Sequence, residues 1–263
     1  MFEPHSLYIT GKGTFYSLHP LTKLSGVLAV ALLVFLGPGE TEKIILIGLL
    51  IFLTAVWAGL LLPSIKTTIK LLLPLLIVLV VVQGFFYPQN TTILFSLGKY
   101  EYAWEGFLYA LFVTARIGVI LLASLLFLFS TKLSDFSRAL TISGLSSGLV
   151  YLIVSPIYML PDFADRIHRI RESQQSRGLD IEGNFLVRIK ALFPLVAPLI
   201  LGALVETESR ALILETRAFN AIGKRSSLVE IYLSRRERVL QILLLTVALI
   251  LSVIGIIERA LFL

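Results

Sequence analysis

Apolar residues in this chain fall in long runs rather than in alternation, the pattern of buried or membrane helices rather than of half-exposed strands. Five runs, Leu21–Leu36, Ile44–Leu62, Leu71–Phe86, Phe107–Phe129 and Val239–Ile257, approach or fill the roughly 17 to 25 residues a helix needs to cross a bilayer. Two shorter stretches, Gly148–Leu160 and Ala191–Val205, each continue without a turn signal into a charged, helix-periodic segment. Both fall below about 18 residues, which predicts half-buried helices. The alternative is a hairpin that enters or crosses the membrane, making seven crossings with the same overall orientation. The pattern predicts an all-α integral membrane protein of about five transmembrane helices. Helices 1 to 4 occupy residues 1–130, a polar, half-buried helical block 131–234, and a last transmembrane helix 235–263.

Within the block the sequence marks its own helix ends. In "PDFADRIHRIRESQQSRG" the pairs Asp162/Arg166 and Asp165/Arg169 stand four apart with the acid first, the supportive order on a helix. Pro161 either opens this helix or kinks a longer one. Gly178 suits the left-handed position that stops a helix and puts Arg177 in its last turn. Asn184 is a candidate cap for the next helix, predicted over about Phe185 to Ala218 with bends at Pro194 and Pro198. Its tail, "GALVETESRALILETR", repeats the design, with Glu206 four before Arg210 and Arg217 near the end.

Charge adds orientation. Of 23 Lys and Arg, 15 lie between Thr131 and Arg238, with 11 of the 17 Asp and Glu, so one mildly basic block interrupts an apolar chain. Lys12, Lys23, Lys66, Lys70, Lys132, Arg235, Arg236 and Arg238 flank one set of span ends, whereas the links after the first and third spans are poor in Lys and Arg. The positive-inside rule then predicts a cytoplasmic N-terminus, an outside C-terminus and a block facing the cytoplasm. Its basic face suits anionic lipid headgroups or a protein partner equally well. No cleavage site of the A-x-A kind precedes the first apolar run, so the polar start through Lys23 reads as a retained terminus.

Composition excludes several chemistries. The chain is 57% hydrophobic and has no cysteine, which removes disulfides, thiolate catalysis and Cys-based zinc sites. His5, His19 and His168 are scattered, and none stands in a metal-binding spacing, so no metal or other cofactor is expected. "AFNAIGKRSS" and "GKGT" both fail the phosphate-loop pattern. A membrane enzyme would need convergent acid, base, nucleophile or metal groups, and no such constellation is present.

What remains is a pair of arginines. One arginine before a terminal glycine is ordinary helix capping; two in succession ask for more. A helix of about 30 residues is ~45 Å long, so Arg177 and Arg217 are far apart unless the prolines fold the second helix back. Separate guanidinium forks suit separate acidic sockets, since each fits a carboxylate bidentately and stays charged. Two similar sockets imply a dimeric partner.

Here the residues resemble a known family, the transmembrane coupling (T) component of energy-coupling factor transporters. The likeness rests on "YMLPDFADRIHRIRESQQSRGLD", on "LVRIKALFPLVAPLILGALVETESRALILETRAF" and on their separation, with support from "LFVTARIGVILLASLLFLFSTKLSDFSRAL". It implies a coupling domain of long crossed amphipathic helices, each ending in a short Ala-Arg-Gly signature whose arginine binds an acidic groove on one ATPase subunit. Carried over, Ser176, Arg177 and Gly178 form the first signature, and Thr216, Arg217 and Ala218 the second. Ala218 departs from the glycine, so a left-handed turn there carries a steric cost; either the helix ends less abruptly, near Asn220, or its arginine points at another angle.

The resemblance further implies a non-catalytic subunit of a prokaryotic cell-membrane importer. Its partners would be two ABC-type ATPase subunits, as a homo- or heterodimer, a membrane S component that binds a vitamin or transition-metal cation, and the bilayer; nucleic acid plays no part. The apolar halves of the block would form a sliding platform for the S component or pack on the chain's own spans. An autonomous secondary transporter or channel is the competing class, and Arg116 in "VTARIGV" is its one pathway candidate. An intramembrane charge is costly; pairing within the bundle or snorkelling is the structural reading of it. Asn90-Thr91-Thr92 matches a glycosylation sequon, and Tyr8, Tyr16, Trp57, Tyr87 and Trp104 are candidate interfacial anchors.

Overall fold

The structure is a computed structural model, and it describes residues 8–11, 13–38, 41–88, 92–97, 100–179, 184–219 and 233–261. Helices dominate: α1 (Thr14–Ser17), α2 (Pro20–Leu36), α3 (Thr41–Trp57), α4 (Leu61–Phe86), α5 (Trp104–Ser130), α6 (Leu133–Ile142), α7 (Ser147–Ser176), α8 (Phe185–Thr216) and α9 (Arg235–Leu261). The exception is a hairpin of β1 (Ile93–Leu97) and β2 (Tyr100–Ala103), paired antiparallel with a register shift between Ile93 and Phe95. It sits in the polar link between α4 and α5, where aromatic residues alternate too briefly to stand out in a hydropathy profile. The fold is thus that of an all-α integral membrane protein, with one small hairpin among the described residues.

The expected spans change in detail. The five runs become α2, α3, α4, α5 and α9, yet among the described residues the helices long and apolar enough to cross a membrane are α4, α5, α7 and α9. α2 and α3 have 17 residues each, a rise of about 26 Å against a hydrocarbon core of about 30 Å. α7 qualifies because its apolar half and its charged half are one unbroken 30-residue helix. Pro161 does not open that helix; it and Pro156 lie inside it, as Pro194 and Pro198 lie inside α8.

The chain forms two compact units, Met1–Gly144 with Ile231–Leu263, and Leu145–Glu230. In the first, Val34, Ile47, Ile51, Leu60, Leu126 and Phe129 gather as an apolar core. Polar ties surround it. The Lys23 ammonium, buried, donates to the Ser130 carbonyl at 2.9 Å and so completes the carbonyl end of α5. It also lies 5.2 Å from the centre of the Phe15 ring. The His19 amide donates to Glu237 Oε1 at 2.9 Å, Gln241 Nε2 to Thr22 Oγ1 at 2.8 Å, Ser252 Oγ to the Leu32 carbonyl at 3.4 Å and Arg259 to the Phe35 carbonyl at 3.0 Å, bonds that hold α9 along α2 and its leading turn. The hairpin is tied back by Tyr102, whose hydroxyl donates to the Val80 carbonyl of α4 at 3.2 Å and whose ring meets Phe85 edge-on.

Candidate site: two arginine-tipped helix ends

The second unit consists of α7, α8 and what joins them. α7 starts on Ser146, whose hydroxyl accepts the Leu149 amide at 3.3 Å and satisfies one of the free donors of the first turn. α8 starts after Asn184, which occupies the expected cap position without making a side-chain cap bond.

The last turns of the two helices are built alike. Arg177 closes α7 at φ −89°, ψ 7°, and Gly178 follows in the left-handed region at φ +89°. The Gly178 amide donates to the Gln175 carbonyl at 2.9 Å and the Leu179 amide to the Gln174 carbonyl at 3.0 Å. Those two bonds define the Schellman turn, which satisfies carbonyls a helix would otherwise leave open. Arg217 closes α8 at φ −86°, ψ 11°. Ala218 then takes φ +54°, and among the described residues it is the one non-glycine with positive φ. Its amide donates to the Glu215 carbonyl and that of Phe219 to the Leu214 carbonyl, both at 2.9 Å. The alternatives left open for the second end resolve here: α8 stops as abruptly as α7, with its arginine in the same backbone position, and alanine bears the left-handed conformation. Asn220, and Asn90 and Thr91 of the sequon, lie outside the described residues.

Ser176, Arg177, Gly178, Thr216, Arg217 and Ala218 are all exposed. The Ser176 and Thr216 hydroxyls donate back to the Glu172 and Ile213 carbonyls. Among the described residues neither arginine has an ion-pair or hydrogen-bond partner through its side chain.

The charges along the helices pair differently from the helical-spacing expectation. Glu206 and Arg210 do pair four apart, Nε to Oε1 at 3.0 Å and Nη2 to Oε1 at 2.5 Å. Arg166, however, donates to Glu206 Oε2 on α8 rather than pairing with Asp162, and Asp162 stands 3.8 Å from Arg210. The hydrogen bond from Arg210, reinforced by the charge of Arg166, holds the Glu206 carboxyl below its ordinary value of 4.5; the same bond holds Arg210 above its own. Asp165 and Arg169 form no ion pair among the described residues. Tyr151 of α7 meets Phe219, the residue after the second turn, with ring centroids 5.5 Å apart. Between the helices lies a cavity of about 260 Å³ lined by Ser155, Pro156 and Met159 of α7 and by Thr207, Ala211 and Leu214 of α8, among others.

Low numbers on α7 therefore meet high numbers on α8, so the two helices run in opposite directions along their contact. Phe219, two residues past Arg217, ends beside Tyr151, whereas Arg177 lies 26 residues further along α7, a helical path of roughly 39 Å. The structure keeps the two tips apart, and no single site contains both. Arg116, in α5, packs its guanidinium 4.7 Å from the centre of the Phe112 ring, and its Nε is buried without a hydrogen-bond partner. Among the described residues its neighbour is this aromatic face, and of the two structural readings, pairing within the bundle or snorkelling, no polar partner for the first is among them.

Comparison with known proteins agrees with this geometry. The family model for CbiQ, described as cobalt transport protein, matches residues 14–231. The energy-coupling factor transporter transmembrane protein EcfT of Brevibacillus brevis is 26% identical over 246 residues, covering 89% of this chain and 91% of that one. The EcfT proteins of Acidaminococcus fermentans and Lactococcus lactis subsp. cremoris are each 26% identical, covering 93% of this chain and 94% and 95% of their own lengths. With two long helices ending in matched arginine turns and a family match over most of its length, the chain belongs to the CbiQ family, as an EcfT-like transmembrane component of a prokaryotic energy-coupling factor transporter.

Proposed function

We propose that the chain is the coupling subunit of an ATP-driven importer: it carries the movement of two ATPase subunits to a membrane S component that holds a micronutrient, a vitamin or a transition-metal cation. Arg177 and Arg217 are the contacts to the ATPases, with Ser176 and Gly178, and Thr216 and Ala218, shaping the turns that present them. Residues 131–234 act as the cytoplasmic coupling block, and the Lys and Arg flanking the spans support a cytoplasmic N-terminus and an outside C-terminus. The observation that carries this reading is the pair of like-built Schellman turns, each presenting an exposed arginine with no acid partner among the described residues. ATP hydrolysis then belongs to the partners, and this chain's part is mechanical.

Reconstitution in liposomes tests it. Solute uptake should require ATP, the ATPases and the S component together, and should vanish with Arg177→Glu while the variant chain still inserts. Flux through the purified chain alone would overturn the reading in favour of an autonomous transporter, with Arg116 in the pathway.

A further inference from the structure

The two tips can transmit force only if something fixes where α7 and α8 cross. Apolar packing does little: among the described residues of α8 none is buried, on α7 the buried residues are Val150 and Val154, and a half-open groove of about 260 Å³ lies between the two helices. A crossing is fixed where side-chain ridges interdigitate, and a contact with few buried side chains leaves it weakly specified.

What the contact does contain is a charge-neutral cluster of four. Glu206 of α8 accepts from Arg166 of α7 through Oε2 and from Arg210 of its own helix through Oε1, and Arg210 also faces Asp162 one turn before Arg166. The Arg166 and Glu206 side chains are 24% and 21% exposed, shielded enough for their pairing to count yet open enough to limit the cost of desolvation. Arg166 lies over Gly202, where a Cβ would come 3.2 Å from its Nη1; the glycine lets the guanidinium rest on the α8 backbone. Its Nη1 is buried without a hydrogen-bond partner, so Arg166 depends on Glu206 for its compensation. A slip of α8 by one turn would take Glu206 about 5.4 Å from Arg166 and leave both groups uncompensated, a penalty an apolar contact would not impose.

We propose that Asp162, Arg166, Glu206 and Arg210 form a pivot that sets the crossing register of α7 and α8, and so are positioning residues for transmission between the arginine tips. The proposal rests on the coupling reading for its role and on geometry alone for the register. Each tip lies 11 residues beyond the central pair, Arg177 beyond Arg166 and Arg217 beyond Glu206, so each helix end is a lever of roughly 16 Å; the α8 end is also held against α7, since Phe219 packs on Tyr151. An ionic pivot of this kind sets a register more than it adds stability.

The absence of cysteine allows a direct test. Spin labels on Q175C and E215C, both exposed in the last turns, report the distance between the tips in the assembled complex. The apolar pair R166M with E206L should fold and assemble, broaden or shift that distance distribution, and lower uptake per ATP hydrolysed severalfold while hydrolysis continues. E206Q, which leaves the two arginines without their shared anion, should do the same and serves if the double variant fails to insert. An unchanged narrow distribution in the variant that inserts overturns the pivot, as does a broadened one with unchanged uptake per ATP. Failure of the coupling reading looks different: Arg177→Glu would then assemble and transport normally, while the labels would still report the register.

Discussion

Replacing Ala218 with glycine isolates the feature that distinguishes the two helix ends. Ala218 holds φ +54°, a conformation that costs a residue with a Cβ roughly 1–2 kcal/mol. Glycine removes that cost but gives back about 0.4–1 kcal/mol through the greater freedom of the frayed chain. The balance favours the formed turn by about 0.5–1 kcal/mol, or about two- to fivefold in its equilibrium with the frayed end. The bond to watch is the one from the Phe219 amide to the Leu214 carbonyl, 2.9 Å long, which exists only when residue 218 is left-handed. Hydrogen exchange at Phe219 should slow by that factor in Ala218→Gly. The mirror experiment, Gly178→Ala, should speed exchange at Leu179, whose amide makes the corresponding bond to Gln174, by a similar factor. Unchanged or faster exchange in Ala218→Gly, with no response to Gly178→Ala, would refute the claim that the left-handed residue controls these turns.

Three further outcomes are expected. Lys23→Met removes the buried donor to the Ser130 carbonyl and should lower stability by about 1–3 kcal/mol, read as a lower thermal midpoint in detergent, whereas Lys66→Met, at an exposed position, should leave it in place. The Glu206 carboxyl is held below 4.5, so the stability it contributes is fully present above that pH and is lost as pH falls through the lowered value; the distance between labels at positions 175 and 215 should stay constant from pH 7 to 5 and broaden only below about 4.5. Phe219→Ala removes the ring contact with Tyr151, worth about 0.5–1.5 kcal/mol, and should speed exchange in the last turn of α8 while leaving the last turn of α7 as it is.

The helix ends were the most legible part of the sequence, because Gly178 is the residue a left-handed position prefers and an arginine just before it marks the last turn. Ala218 reads against the same turn; the neighbouring Phe219 contact and the two backbone bonds outweigh its local preference, and no local rule captures that. Helical spacing paired Glu206 with Arg210 correctly but assigned Arg166 to Asp162, since a rule for one helix cannot see a carboxylate on another. Lys23 looked like an interfacial charge because hydropathy does not register a carbonyl waiting 107 residues later. The hairpin and the short reach of α2 and α3 escaped for a related reason: a hydropathy window reports how apolar a stretch is, not where its hydrogen bonds end.

The central claim is that each arginine tip grips its own ATPase subunit. The most direct measurement is the number of ATPase subunits that copurify with the detergent-solubilised chain, native and with Arg177→Glu, Arg217→Glu or both. Two subunits on the native chain, weakened binding in each single variant and none in the double variant is the predicted result. Two subunits held at native affinity by all three variants would contradict the account.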